Sequence, residues 1–186
     1  MKNAEPPPPS AWVTRFSPLV VAGGAVLDVA AGGGRHTRLF LARGHPVTAT
    51  DRDVSGLAAG AGDGDLTVVA ADLEGAPWPF GEARFAGVVV TNYLHRPLFP
   101  VLLGALAPGG ILMYETFARG NERFGHPRRP EFLLRPGELL ELARGALHVI
   151  AYEHGQVALP RPAVVQRLCA VRVTDPADPP IHRLPP

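Results

Sequence analysis

A chain of 186 residues has room for one domain with a full core and little space for a second. Its formal net charge of +1 gives no overall reason to expect nucleic acid or an anionic membrane as a partner, and its single cysteine, Cys169, excludes an internal disulfide or a cysteine-rich metal site. Lys2 is the only lysine, and 21 Gly and 21 Pro accompany the abundant Ala and Arg, a bias that a GC-rich genome produces, so a lone arginine carries little message.

No secretion signal is visible: Met1 to Glu5 runs into Pro6 to Pro9 instead of an apolar segment, and the longest apolar stretch, Pro18 to Val29, is too short to span a bilayer. A soluble cytoplasmic protein without a membrane partner is expected. Residues 1–10 read as disordered, because consecutive prolines neither pair as a strand nor extend a helix. A single domain is expected over 11–174, opening with a short helix within Trp12 to Ala22 that Pro18 interrupts. A strand from Ala25 to Val29 leads into a helix from Arg35 to Arg43, which Gly44 stops. A strand from Pro46 to Thr50 and a weak helix capped by Ser55 follow, then a strand from Leu66 to Ala70. Gly75 to Phe80 is too proline-rich for a regular helix.

The Val-rich segment Phe85 to Thr91 has the composition of a strand buried on both faces. A helix from Leu98 to Ala107 is ended by Pro108-Gly109-Gly110, and a strand from Ile111 to Glu115 comes next. A long basic loop, Phe117 to Pro130, precedes a helix from Pro136 to Arg144. Two strands, Leu147 to His154 and Val165 to Thr174, have no helix between them and predict an antiparallel hairpin at a sheet edge. The tail 175–186 holds five prolines and reads as loose. The alternation predicts an α/β fold: an open, Rossmann-like, seven-stranded, mostly parallel sheet with helices on both faces and a C-terminal edge hairpin. Ligands of such sheets sit beyond the C-terminal strand ends, where strand order reverses.

Chemistry concentrates at those ends. The segment Val26-Leu27-Asp28-Val29-Ala30-Ala31-Gly32-Gly33-Gly34 runs from an apolar strand through an acid into a turn of the smallest residues. Small residues let backbone approach a nucleotide-like ligand closely. Asp51 ends the next apolar segment and Asp72 the one after, and each alone is equally readable as a turn or helix cap. A nicotinamide dinucleotide fingerprint fits less well, because Gly32 to Thr37 lacks its last glycine and it gives Asp72 no task. A kinase-type phosphate loop is excluded, because no lysine follows Lys2.

Taken together, these residues resemble the class I S-adenosylmethionine-dependent methyltransferases, over roughly Trp12 to Thr174. The Gly34-Arg35-His36 helix start is similar to that of small enzymes of the tellurite-resistance type. The departure is Ala30, where the family usually has its first glycine. The resemblance implies S-adenosylmethionine as cofactor and S-adenosylhomocysteine as product. It implies that Asp28 organises the turn or reaches the cofactor's amino group, and that Ala30, Ala31, Gly32 and Gly34 pass beside the ligand. Asp51, with Arg52 next to it, would hold the ribose hydroxyls; Asp72 would accept the adenine amino hydrogen and the Leu73 N–H would reach a ring nitrogen. Asn92 would lie near the reactive methyl.

Asn92, Tyr93 and His95 follow the Val-rich strand and are the candidate catalytic residues, with Glu115 nearby; Tyr93 or His95 would orient or deprotonate the acceptor. The plainer alternative packs Tyr93 against the cofactor and leaves His95 capping the next helix. The loop 118–130, with four arginines against one glutamate, is expected to form part of the substrate wall and to favour an anionic acceptor. Its plainer reading is a solvated loop in an arginine-rich chain. The seven histidines are dispersed without ligand spacing, so no metal is expected. The overall expectation is methyl transfer to a small molecule by a monomer or homodimer. The alternatives are a cofactor-binding module without activity, or an RNA or protein methyltransferase gripping its substrate with the basic loop; nucleic acid is disfavoured by the absence of an added recognition domain.

Overall fold

The computed structural model describes residues 7–60, 64–175 and 177–185. In chain order the elements are α1 (Ala11–Phe16), β1 (Val26–Val29), α2 (Arg35–Leu41), β2 (Val47–Asp51), β3 (Leu66–Ala70), β4 (Phe85–Thr91), α3 (Phe99–Ala105), β5 (Leu106–Phe117), α4 (Glu138–Ala143), β6 (His148–Val157) and β7 (Ala163–Val171). Short 3-10 turns link several of them. Among the described residues no helix is long and apolar enough to cross a membrane.

All seven strands form one sheet in the order β3-β2-β1-β4-β5-β7-β6. The first five in chain order run parallel, and β7 inserts antiparallel between β5 and β6. This is the predicted Rossmann-like sheet with its reversed C-terminal hairpin. The chain adds β2 and β3 on one side of β1, then crosses to build β4 and β5 on the other, so strand order reverses between β1 and β4.

Period-two alternation sends neighbouring residues to opposite faces. Leu27, Val88, Leu112 and Ala170 align across the sheet and join the core cluster that contains Leu102 of α3 and Leu139 of α4. Val89, Met113 and Cys169, one residue along, join the opposite cluster with Trp12, Val13 and Phe16 of α1 and Phe40 of α2. Cys169 is fully buried there, as its apolar neighbours imply.

Several boundaries differ from the sequence reading by a few residues, β7 among them, which spans Ala163–Val171 and not Val165 to Thr174, and three differences bear on packing. The helix expected through Ala107 stops at Ala105, and β5 begins at Leu106, ahead of Pro108-Gly109-Gly110. The chain bulges there, with Leu106 opposite Phe85 and Ile111 opposite Gly87. A Cβ on Gly110 would lie 2.8 Å from the carbonyl oxygens of Ala107 and Phe85, so only glycine fits the bulge. The disorder expected over 1–10 falls partly on 1–6, outside the described residues, but Ser10 is buried. Its Oγ accepts from the Trp12 N–H at 3.1 Å and caps α1. In the segment expected to be a loose tail, the Pro185 carbonyl accepts from Arg15 Nε at 3.1 Å.

The basic loop is pinned at Asn121, whose buried amide donates to the Pro127 carbonyl at 3.0 Å and accepts from the Val164 N–H at 3.3 Å. Beyond it, Arg96 locks α4. Its Nε and Nη2 donate to the two oxygens of Glu138 at 2.6 and 3.0 Å, while Nη1 and Nη2 also reach the carbonyls of Glu131 and Leu133. The Glu138 side chain is 4% exposed. Replacing Arg96 with Ala leaves that carboxylate only the Arg135 N–H at 2.7 Å and the Arg135 guanidinium at 3.5 Å, and is expected to cost about 2 kcal/mol in urea denaturation. Arg96→Lys should recover little, because a lysine cannot reproduce the two-pronged contact.

Candidate functional site

The turn after β1 is set by its backbone. Ala30, Gly32 and Gly34 have φ of +54, +54 and +72°. Gly34 starts α2 in a left-handed conformation, which makes it a glycine site, and a Cβ there would also displace the Leu57 methyl 2.6 Å away. Ala30 holds the same kind of angle with a Cβ, a strained arrangement for alanine. The turn is secured from below. Asp28 Oδ2 accepts from Thr37 Oγ1 of α2 at 2.7 Å, tying the strand to the helix across the loop. It is secured from the side by Asp51 Oδ2, which accepts from the Gly32 N–H at 2.8 Å.

Two adjoining crevices open above the C-terminal strand ends. One, of about 220 Å³, is lined by Ala30, Asp51, Arg52, Asp72, Leu73 and Tyr93, with Ala71 and Glu74. The other, of about 430 Å³, follows the turn from Ala30 through Gly33 and also touches Pro7, Arg35, Asp51, Thr91, Asn92 and Tyr93. The expected groups Ala30, Ala31, Gly32, Asp51, Arg52, Asp72, Leu73, Asn92 and Tyr93 are therefore brought together. Each oxygen of Asp51 holds one backbone N–H, from Gly32 and from Asp53. Asp72 Oδ1 accepts from the Glu74 N–H at 3.1 Å. The Leu73 N–H has no acceptor among the described residues.

Asp28 does not join them, so the three carboxylates do not converge. It lies within β1 at 1% exposure, facing the α1 and α2 layer beside Val89 and Ala49. Of its two expected roles only organisation of the turn fits, since a buried carboxylate engaged by Thr37 does not reach a ligand. Burial pushes its carboxyl up to about 6, against the lowering effect of the Thr37 hydrogen bonds. Gly34 is buried beneath the turn and lines neither crevice.

His95 also lies outside them. The buried Leu94 and Leu98 draw that segment on to the core, and His95 begins a 3-10 turn whose first bond its carbonyl accepts from the Leu98 N–H. Tyr93 does line both crevices, but burial first, and Glu74 next, raise its hydroxyl well above the usual tyrosine range. It is a hydrogen-bond donor, not a base, at neutral pH.

Sequence reasoning missed the roof. Ser10 donates its backbone N–H to His36 Nε2 at 3.1 Å and its hydroxyl to Glu115 Oε2 at 2.9 Å, which brings Pro7 to the edge of the crevice. A ring nitrogen that accepts from a backbone N–H leaves the proton on Nδ1, facing Thr91 Oγ1 at 3.4 Å. Burial, with Arg35 adding to it, lowers the His36 pKa to about 3, so the ring is neutral. Nothing local in the sequence couples Ser10 to His36 and Glu115. The four arginines of the loop 118–130 line none of the described cavities; the cations that do are Arg35, Arg52, Arg161 and Arg167.

Two outcomes are expected. Ala30→Gly should raise stability by about 0.5–1 kcal/mol by relieving the left-handed alanine, as read by urea denaturation. Asp28 titrates near 4 when unfolded and higher when folded, so unfolding releases its proton between those values and stability falls as pH rises through about 4 to 6. Asp28→Asn removes that loss, and its stability relative to the parent should climb by about 2–3 kcal/mol across this window and then level off.

No protein-family model matches the chain, and no curated protein does. Solved structures do. A 1,6-didemethyltoxoflavin-N1-methyltransferase from Burkholderia thailandensis, crystallised with 1,6-didemethyltoxoflavin and S-adenosylhomocysteine, is 23% identical with a TM-score of 0.61, covering 88% of this chain and 80% of that one. TehB from Haemophilus influenzae is 15% identical with a TM-score of 0.70, covering 86% of this chain and 61% of that one. The [4+2]-cyclase SpnF is 15% identical with a TM-score of 0.65, covering 94% of this chain and 86% of that one. With its strand order, its reversed hairpin and the crevice at the β1–β4 reversal, the chain has the class I S-adenosylmethionine-dependent methyltransferase fold.

Proposed function

We propose that this protein transfers a methyl group from S-adenosylmethionine to a small molecule. The observation that carries the reading is the pairing of Asp51 and Asp72 at adjacent strand ends over one crevice. Each Asp51 oxygen uses one acceptor site on backbone and keeps another for a ligand hydroxyl, which suits a ribose diol. Asp72 and the Leu73 N–H offer an acceptor and a donor side by side, which suits the amino edge of adenine. The turn from Ala30 to Gly32 gives the remaining length of the ligand a wall of backbone and small side chains. S-adenosylmethionine held there would supply an activated methyl on a sulfonium to the acceptor's nucleophile, with the sulfur retaining the bonding pair as S-adenosylhomocysteine.

This chain's own work is then to align the acceptor and keep water out. Asn92, in a left-handed conformation with φ of +56°, stands where the crevice meets the neighbouring cavities. Tyr93 orients by donating its proton. The segment from Pro7 to Ser10 supplies the cover. The basic loop reaches the described cavities through Pro127 and not through its arginines, which supports a small acceptor over a nucleic acid one. The cyclase among the fold's other members favours one further reading, cofactor binding put to a use other than methylation.

Calorimetric titration with S-adenosylmethionine and S-adenosylhomocysteine tests the cofactor, and a methyl-transfer screen against metabolite extract tests the reaction. Binding of both with transfer is the expected result; binding without transfer to anything favours the further reading. Asp51→Asn should weaken both ligands by about 1–3 kcal/mol. An unchanged affinity would remove the ribose assignment.

A further inference from the structure

A third cavity, of about 370 Å³, adjoins the glycine crevice and shares Arg35 and Asn92 with it. Its walls are largely apolar: Phe117 from the end of β5, Val157 and Val165 from the β6–β7 hairpin, and Leu159 and Pro160 from the connecting turn. Leu159 is 80% exposed, an apolar side chain held at a cavity rim with none of the described residues covering it. The volume is that of a compact ligand site.

The charges in this cavity are unequal. Arg167 is spent within the protein: its Nε lies 2.9 Å from Glu115 Oε2, although the N–H does not point along that contact, and its Nη1 donates to Glu153 at 3.1 Å. Arg35 and Arg161 have no carboxylate partner among the described residues. The Arg161 guanidinium carbon lies 5.5 Å from the centre of the Phe117 ring, and Nη2 donates to the His126 carbonyl at 3.1 Å. That bond holds the hairpin turn against the basic loop and orients the guanidinium, while its other N–H groups stay open. An apolar wall thus carries, over one of its aromatic rings, a positioned cation with no carboxylate partner among the described residues.

We propose that the acceptor is an aromatic or similarly flat molecule carrying one carboxylate, with its body against Phe117 and Leu159 and its carboxylate on Arg161. The inference rests on the methyl-transfer reading and names the substrate class of the same site. A guanidinium's planar edge matches a carboxylate with two parallel hydrogen bonds. Glu115 is paired with Arg167, and Arg35 sits at the junction with the glycine crevice, so Arg161 is the cation that faces the acceptor's own cavity and it matches one carboxylate. The carboxylate is the anchor, and the methylated atom lies at the other end of the body, toward Asn92. The positive charge that recognises the anion comes from the C-terminal hairpin and not from the basic loop.

Calorimetry on the full chain saturated with S-adenosylhomocysteine tests this, with 2-naphthoate and its uncharged counterpart 2-naphthamide as probes. The naphthoate is expected to bind about tenfold more tightly than the amide. Arg161→Gln should abolish that preference while leaving the affinities for the amide and for S-adenosylhomocysteine unchanged, which also reports that the variant is folded. Phe117→Ala should weaken both probes. Equal affinities for the two probes, absence of binding by either, or a preference that survives Arg161→Gln would overturn the proposal while S-adenosylhomocysteine still binds. Failure of S-adenosylhomocysteine itself to bind would instead remove the methyl-transfer reading, and this inference with it.

Discussion

The buried hydrogen bond from Thr37 Oγ1 to Asp28 Oδ2, 2.7 Å long, joins the middle of β1 to the third residue of α2 and so closes the turn between them. The turn closed in this way carries left-handed backbone at Ala30, Gly32 and Gly34. The folded chain tolerates a carboxylate among apolar neighbours for the sake of that closure, at a cost that burial makes visible in its raised pKa. Everything above the sheet follows from the position of this turn. It brings Gly32 N–H to Asp51, and Asp51 in turn shares a crevice with Asp72, two residues past the end of β3. A carboxylate that serves geometry from below is thereby distinguished from two that face the crevice.

The walls of the site come from parts of the chain that are far apart. The sheet supplies the floor through the reversal between β1 and β4. The N-terminal segment supplies a roof through Ser10, which bridges a neutral His36 and the ion-paired Glu115. The β6–β7 hairpin supplies the far wall, and the turn within it supplies Arg161, a cation without a carboxylate partner among the described residues. Arg96 and Glu138 fix α4 against the segment after β4, which keeps the chain beyond Tyr93 on the core. The site is therefore an assembly of loops on a rigid sheet, an arrangement in which loop changes alter the ligand without altering the scaffold. The range of activities among proteins of this fold, methyltransferases and a cyclase together, is the expected consequence.

The sequence by itself determined the sheet and its C-terminal reversal, because period-two burial, helix stops at glycine and the lack of a helix between the last two strands are local signals. It also determined which acids end strands: Asp51 and Asp72 sit where apolar runs stop, and a strand end is legible in the run itself. Ala30 was legible as a departure from a glycine position, but its left-handed strain needed coordinates. Only the tertiary structure decided that Asp28 turns inward, since the face a strand residue occupies depends on what packs against it, here α2 through Thr37. Only it decided that His95 leaves the site, that Ser10 enters it, and that the cations of the third cavity are Arg35, Arg161 and Arg167 instead of those of the loop 118–130. Each of these is a contact between residues distant in the chain. Such contacts are fixed by packing and loop closure, whose energies depend on the whole folded arrangement and leave no periodic mark along the sequence.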